Sequence, residues 1–296
     1  VIAPAYLKEG DTIALIAASR FIEQNMLERA VTFFKQFNFQ VICGPHILSK
    51  NHQFAGTDQE RAQDLNWALE NEEVKAIVFF RGGYGAAKII DLVNWELLTQ
   101  QPKWLVGYSD VTAIHQHANN LGVQTLHATM PIHLAETDEE SILSFHAMIE
   151  ALKGESIEYY LESDMEEHKP IKGEIVGGNL SVLYSLMGSN SEMNWDNKIL
   201  FLEDLDEYLY HIDRMMNAFS RAGKLSALKA LLVGSFKDMH DNTIPFGADA
   251  EEIVQHYGKK YKIPVFYGMP CGHEKLNIPV ICGAKVIIEN FAMRYA

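Results

Sequence analysis

The run Gly107-Tyr108-Ser109-Asp110-Val111-Thr112 follows an apolar stretch over residues 104–108 and leads into a helical pattern over 111–119. A serine on a sharp strand-to-helix turn exposes its hydroxyl and lies beside free backbone N–H groups at a helix N-terminus, where an oxyanion is stabilised. That setting suits a nucleophile. The run meets the G-x-S-x-G pattern only in its first half, because Val111 stands where the second glycine would be. The plainer alternative is that Ser109 or Asp110 caps the following helix, since both residue types are strong N-caps.

A serine hydroxyl alone is a poor nucleophile, so this reading needs a base and a carboxylate to orient that base. Twelve histidines compete for the first role. His273 ends Gly268-Met269-Pro270-Cys271-Gly272-His273, a glycine- and proline-broken loop after the apolar run 264–267, and such a loop exposes an imidazole. An ordinary surface histidine is the alternative there. Glu203 follows the apolar strand 199–202 and opens an acidic turn with Asp204, Asp206 and Glu207, where carboxylates are ordinarily solvated. Cys271 is a rival nucleophile two residues from His273, but nothing beside it in sequence supplies the cation or helix terminus that activates a thiol.

Arg81-Gly82-Gly83-Tyr84-Gly85 closes another apolar run, 74–80. It lacks the spacing of a phosphate loop, and Lys88 stands where a dinucleotide fingerprint has Gly or Ala, which argues against nucleotide binding. Gly82 and Gly83 would let a backbone N–H approach a substrate carbonyl, the second donor an oxyanion hole needs. Arg81 could grip a substrate carboxylate with two donors or sit in a structural ion pair. His115 and His117 lie two apart on a predicted helix and so face nearly opposite sides, and His127 and His133 match no ligand spacing. No metal or other cofactor is expected.

The elements that must position these groups alternate in period. Residues 11–18, 39–43, 74–80 and 104–108 read as strands. Between them, 25–37 places Met26, Ala30, Phe33 and Phe34 on one helical face, and 58–71 turns Leu65, Ala68 and Leu69 inward. This is the pattern of βα units on a parallel sheet, and both glycine-bearing turns fall at strand C-termini, where open α/β sheets place ligands. Lys153-Gly154 and the polar run 162–169 break the pattern. The expected division is a domain over 1–155, a linker over 156–170 and a second domain over 171–296. That second part carries strands at 171–176, 198–202, 230–235 and 285–289 and a long helix at 208–222, whose Ile212, Met215, Met216 and Phe219 read as core. A mixed α+β or barrel-like domain follows.

Composition excludes several classes. The 296 residues, 48% of them apolar, suffice for two domains with cores. A net charge of -14 with no Lys/Arg cluster argues against nucleic acid as a partner. No apolar run reaches the length of a membrane span, so no membrane partner is expected. Cys43, Cys271 and Cys282 are too few and wrongly spaced for a disulfide framework, which points to a reducing compartment. Val1 in place of Met suggests a trimmed start, so export stays open.

The chain resembles the LD-carboxypeptidase family of serine peptidases almost from end to end. The resemblance rests on Leu7-Lys8-Glu9-Gly10-Asp11-Thr12-Ile13-Ala14, the Arg81 to Gly85 turn, Gly107-Tyr108-Ser109-Asp110-Val111-Thr112-Ala113, Gly177-Gly178-Asn179-Leu180, Phe201-Leu202-Glu203-Asp204 and Gly272-His273, whose order and spacing are specific together. It implies Ser109 as nucleophile, His273 as general base and Glu203 orienting that base. It also implies Gly83 and Asp110 amides as the oxyanion hole, with Arg81, Gly82 and Tyr84 binding substrate. The implied architecture is α/β: a flavodoxin-like N-terminal parallel sheet domain and a smaller C-terminal α+β domain that swivels against it, often in a homodimer. Ala128-Thr129 departs from the Gly-Pro that relatives often carry after the residue equivalent to His127, which alters a pocket wall and not the triad. The implied reaction is release of terminal D-alanine from a murein peptide substrate, the tetrapeptide of cytoplasmic cell-wall recycling. A sister branch resembles microcin C immunity peptidases, which cleave peptidyl or aminoacyl nucleotide amides and usually carry longer substrate loops. The modest length here favours the cell-wall branch. A non-catalytic peptide-binding protein is the alternative of another class, and the three candidate triad members argue against it.

Overall fold

Runs that read as continuously apolar become strands covered on both faces. A computed structural model describes residues 1–164 and 168–296. In it β1 (Thr12–Ile16), β2 (Gln40–Cys43), β3 (Val74–Phe79), β4 (Trp104–Gly107) and β5 (Thr125–His127) form a parallel sheet in the order β2-β1-β3-β4-β5, which is flavodoxin-like. The helix Asp58–Glu70 begins with a reciprocal Thr57/Glu60 capping box and buries Leu65, Ala68 and Leu69. The helix Gln24–Gln36 buries Leu27, Ala30 and Phe34, with Met26 and Phe33 partly covered, so its inward face is centred about one position from the expected one. Apolar clusters fill both sides of the sheet.

The second sheet is built from β6 (Glu158–Tyr160), β7 (Ile171–Asn179), β8 (Lys198–Leu205), β9 (Ala230–Lys237), β10 (Val265–Phe266), β12 (Lys285–Glu289) and β13 (Ala292–Tyr295), in the order β10-β9-β8-β7-β12-β13-β6. Strands β7 to β10 run parallel, and β12, β13 and β6 add antiparallel. Just past the two edges, Glu162 and Tyr267 exchange backbone hydrogen bonds of 3.0 and 2.8 Å and bring the ends of the sheet together. The expected α+β domain is therefore seen, with its sheet in barrel-like form. Phe201, Leu232, Phe266 and Ile288 pack inside it, and Ile212, Met215, Met216 and Phe219 of the helix Leu209–Arg221 pack on its other face.

The division near 156–170 is less clean than its polar composition suggests. Residues 165–167 lie outside the described residues, but β6 within the expected linker is already a strand of the second sheet. Conversely β11 (Val280–Cys282), from the second half, pairs antiparallel with β5 and forms the edge of the first sheet. The chain between β10 and β11, which carries His273, therefore crosses from one sheet to the other. Among the described residues, no helix is long and apolar enough to cross a membrane. Met216 has no solvent exposure, so Met216→Ala is expected to cost about 2–5 kcal/mol, read as a lower urea midpoint.

Candidate active site

Leaving β4, the chain turns at Ser109 with φ +62°, a left-handed conformation that non-glycine residues adopt rarely and at functional turns. A 3₁₀ turn over Ser109–Val111 then feeds the helix Thr112–Asn120. Neither Ser109 nor Asp110 caps that helix, so the plainer reading of these residues is not what folds. Asp110 instead reaches across to other loops: its Oδ2 accepts from Ser19 Oγ at 2.5 Å, after β1, and from the Ala86 N–H at 2.8 Å, after β3. Three strand ends are thereby tied together. Tyr108 is held from the other side, its hydroxyl 2.8 Å from His133 Nε2, whose Nδ1 lies 2.8 Å from Glu136. Val111 is fully buried in the core beneath this elbow. A Cβ on Gly82 would stand 3.0 Å from Ser109 Oγ, so any larger residue there would crowd the hydroxyl.

Glu203 is not at the end of its strand. β8 continues to Leu205, with a register shift against β9 between Leu202 and Asp204. The extra residue lies on β9 while β8 itself alternates regularly, so the two consecutive carboxylates point to opposite faces of a strand covered on both sides and are both buried. His273 is aimed by its surroundings: its N–H donates to Ser235 Oγ at 2.9 Å, and the Gly272 N–H donates to Asn277 Oδ1 at 3.1 Å. Gly272 has φ +122°, and a Cβ on it would meet Ser235 Oγ at 2.3 Å and Glu203 Cβ at 2.9 Å. The imidazole then bridges the two halves, with Nδ1 2.6 Å from Glu203 Oε2 and Nε2 3.1 Å from Ser109 Oγ.

Burial alone would raise the Glu203 carboxyl, but the adjacent His273 and His127 outweigh it and hold the group at about 2. For His273, burial pulls the imidazole down, while the Glu203 charge and hydrogen bond push it net above its ordinary value. Asp204, next in the chain, is pushed up to about 7 by burial and by Glu203, and it accepts from Asn179 Nδ2 and the N–H groups of Ser181 and Leu205. Its part is to hold the β7 and β8 ends together. His127 Nε2 lies 3.9 Å from Glu203 Oε1, too far for a hydrogen bond but close enough for charge to be felt, and both groups are wholly buried.

Ser109 and His273 open into a cleft of about 530 Å³ that Arg20, Arg81, Gly82 and Gly83 also line. Among the described residues, neither the Gly83 nor the Asp110 N–H donates to a loop or turn carbonyl. Tyr84, expected at the substrate site, is half exposed with its ring tilted against Phe54, and it does not line this cleft. Arg81 makes no ion pair among the described residues. Cys271 is buried with its thiol pushed well above the ordinary range by desolvation, the opposite of an activated nucleophile. His115 donates to the Gly107 carbonyl while His117 meets Ser191, so the two diverge as their spacing requires. Arg20, on the turn after β1, escaped the sequence reading because it stands in no glycine-bearing motif. A hydroxyl, an imidazole and a carboxylate in one hydrogen-bonded line is the arrangement that acyl transfer requires.

Comparison with known proteins agrees. The N-terminal and C-terminal domain profiles of the LD-carboxypeptidase family match residues 13–128 and 172–288. A protein of Bacillus subtilis (strain 168) named probable murein peptide carboxypeptidase is 32% identical over 291 residues, 97% of this chain and 91% of that one. Among solved structures, the muramoyltetrapeptide carboxypeptidase from Oxalobacter formigenes superposes with a TM-score of 0.86 at 23% identity, covering 96% of this chain and 97% of its own. MccF in complex with glutamyl sulfamoyl guanosine superposes at 0.88 with 21% identity, covering 99% and 98%. These two likenesses concern the fold. With both halves matched in order and a relative aligned along nearly the whole chain, this protein belongs to the LD-carboxypeptidase family of peptidases.

Proposed function

We propose that this chain is a serine carboxypeptidase that hydrolyses the L,D amide bond releasing terminal D-alanine from murein tetrapeptides, in cytoplasmic cell-wall recycling. The observation that carries the reading is the unbroken line from Ser109 Oγ through His273 to Glu203, at 3.1 and 2.6 Å. His273 takes the Ser109 proton as Oγ attacks the amide carbonyl, and the Gly83 and Asp110 N–H groups receive the oxyanion. The imidazolium then protonates the leaving D-alanine nitrogen. Water enters, gives its proton to His273 and attacks the acyl-enzyme, and Ser109 recovers its hydrogen as the shortened peptide departs. Glu203 keeps the Nδ1–H tautomer and stabilises the imidazolium formed in each half.

The same triad would serve a peptidyl nucleotide amide, the microcin type of substrate. The murein reading is preferred because the relative aligned at 32% identity is named for a murein peptide, whereas MccF matches by fold at 21%. Incubation with L-Ala-γ-D-Glu-diaminopimelate-D-Ala is expected to release D-alanine, with processed microcin C left intact. Cleavage of microcin C alone would reverse that preference. Ser109→Ala is expected to lower the rate by on the order of 10⁴-fold or more with the melting temperature preserved, and full activity in that variant would remove Ser109 from the mechanism.

His273 acts as a base only when neutral, and Glu203 holds its pKa above the ordinary value of about 6.5. kcat/KM is therefore expected to climb with pH on an acid limb whose midpoint lies above that value. Glu203→Gln keeps the shape and removes the charge, so the midpoint should move down while the rate falls by on the order of 10⁴. A pH–rate profile for both forms checks this, and an unmoved limb would show that some other group sets the His273 proton affinity.

A further inference from the structure

Arg20 and Arg81 reach the catalytic cleft from the turns after β1 and β3. Arg81 has its proton affinity lowered by burial and by the neighbouring Arg20 charge, so the two guanidinium groups feel each other's repulsion. A chain with 39 acidic and 25 basic residues has carboxylates to spare for such a pair. Arginine ion pairs form only between Arg61 and Asp58 and between Arg294 and Glu289 among the described residues, and of the arginines without one, Arg20 and Arg81 are those that line the cleft. Arg81 Nη1 has only a 3.4 Å contact to the Phe21 carbonyl, and its Nε is buried without a partner.

The acids that face the cleft are all engaged. Asp110 holds Ser19 and Ala86, Asp204 holds Asn179 and Ser181, Asp206 pairs with His240 and Glu207 with His211. Unused polar capacity in the cleft is thus concentrated on the two arginines, and it is cationic and planar, the donor type that fits a carboxylate.

Their position selects which carboxylate. Arg20 Cγ and Cδ lie 2.6 and 2.7 Å from where a Cβ on Gly83 would be, and Gly82 beside it abuts Ser109 Oγ. In a peptide poised for attack, the carboxylate of a C-terminal residue is joined to the scissile nitrogen through one Cα, roughly 4 Å from the attacked carbonyl carbon. A subsite for that group has to border the turn at the nucleophile, as this pair does. An internal residue offers a neutral amide at the same place. Resting on the carboxypeptidase reading above, we propose that Arg20 and Arg81 form the subsite for the free α-carboxylate of the leaving residue, so that this pair confines cleavage to the chain end.

The test separates this subsite from the murein reading by using minimal probes. In the Ser109→Ala protein, N-acetyl-D-alanine is expected to bind on the order of 10- to 100-fold more tightly than N-acetyl-D-alaninamide, measured by NMR titration. Arg20→Gln, at an exposed side chain, should cut that preference about tenfold with no change in melting temperature, and the Arg20→Gln/Arg81→Gln pair should abolish it. Equal binding of acid and amide, binding of neither, or a preference that survives both substitutions overturns the subsite. If the preference appears and vanishes as stated while the unsubstituted protein releases no D-alanine from the tetrapeptide, the subsite stands and the murein reading falls.

Discussion

A carboxylate with no access to water is the constraint around which this protein is arranged. Removing Glu203 from solvent costs several kcal/mol unless a cation or strong donors compensate, and the compensation comes from His273 at 2.6 Å with His127 behind. The pair is sealed by Phe201 from its own strand and Tyr108 from the first sheet, whose rings stand 5.1 Å from His127 and 4.8 Å from His273. Burial, proton affinity and orientation of the imidazole are therefore one property. An exposed glutamate would neither raise the His273 proton affinity nor fix its tautomer to the same degree.

The requirement propagates outward. Glu203 points inward because it follows Phe201 on the same face of β8, and His273 fits against it because Gly272 carries no side chain. Its loop is held at one end by β10 in the second sheet and at the other by β11 in the first. This strand exchange makes the seam between the two sheets a continuous piece of backbone. On the far side Ser109 stays at φ +62° because Asp110 ties the ends of β1 and β3 to the elbow and Tyr108 is anchored through His133. Strain at Ser109 is tolerated where the surroundings over-determine it.

Much of this was legible locally. The βα alternation of the first half, the turns at Arg81 and Ser109 and the apolar stripe through Met215 and Phe219 emerged with small shifts of boundary. Strands β5, β6, β10, β11 and β13 were missed, since two to four residues carry no measurable period. Glu203 looked like a solvated strand end because the acidic run after it is indistinguishable from an ordinary turn until the His273 loop packs against it. Arg20 gave no signal at all, because its importance comes from a lack of partners.

By itself, then, the sequence determined the longer strands and several of the helices, where the chain must turn sharply, and which side-chain chemistries were on hand. These follow from periodicity and backbone preference acting over about ten residues. Only the tertiary structure decided that positions 109, 203 and 273 converge, that the carboxylate is dry, and that two arginines are left unpaired beside Ser109. Each of those outcomes depends on register, strand exchange and packing between segments as much as 70 to 164 residues apart, where local propensity has no reach.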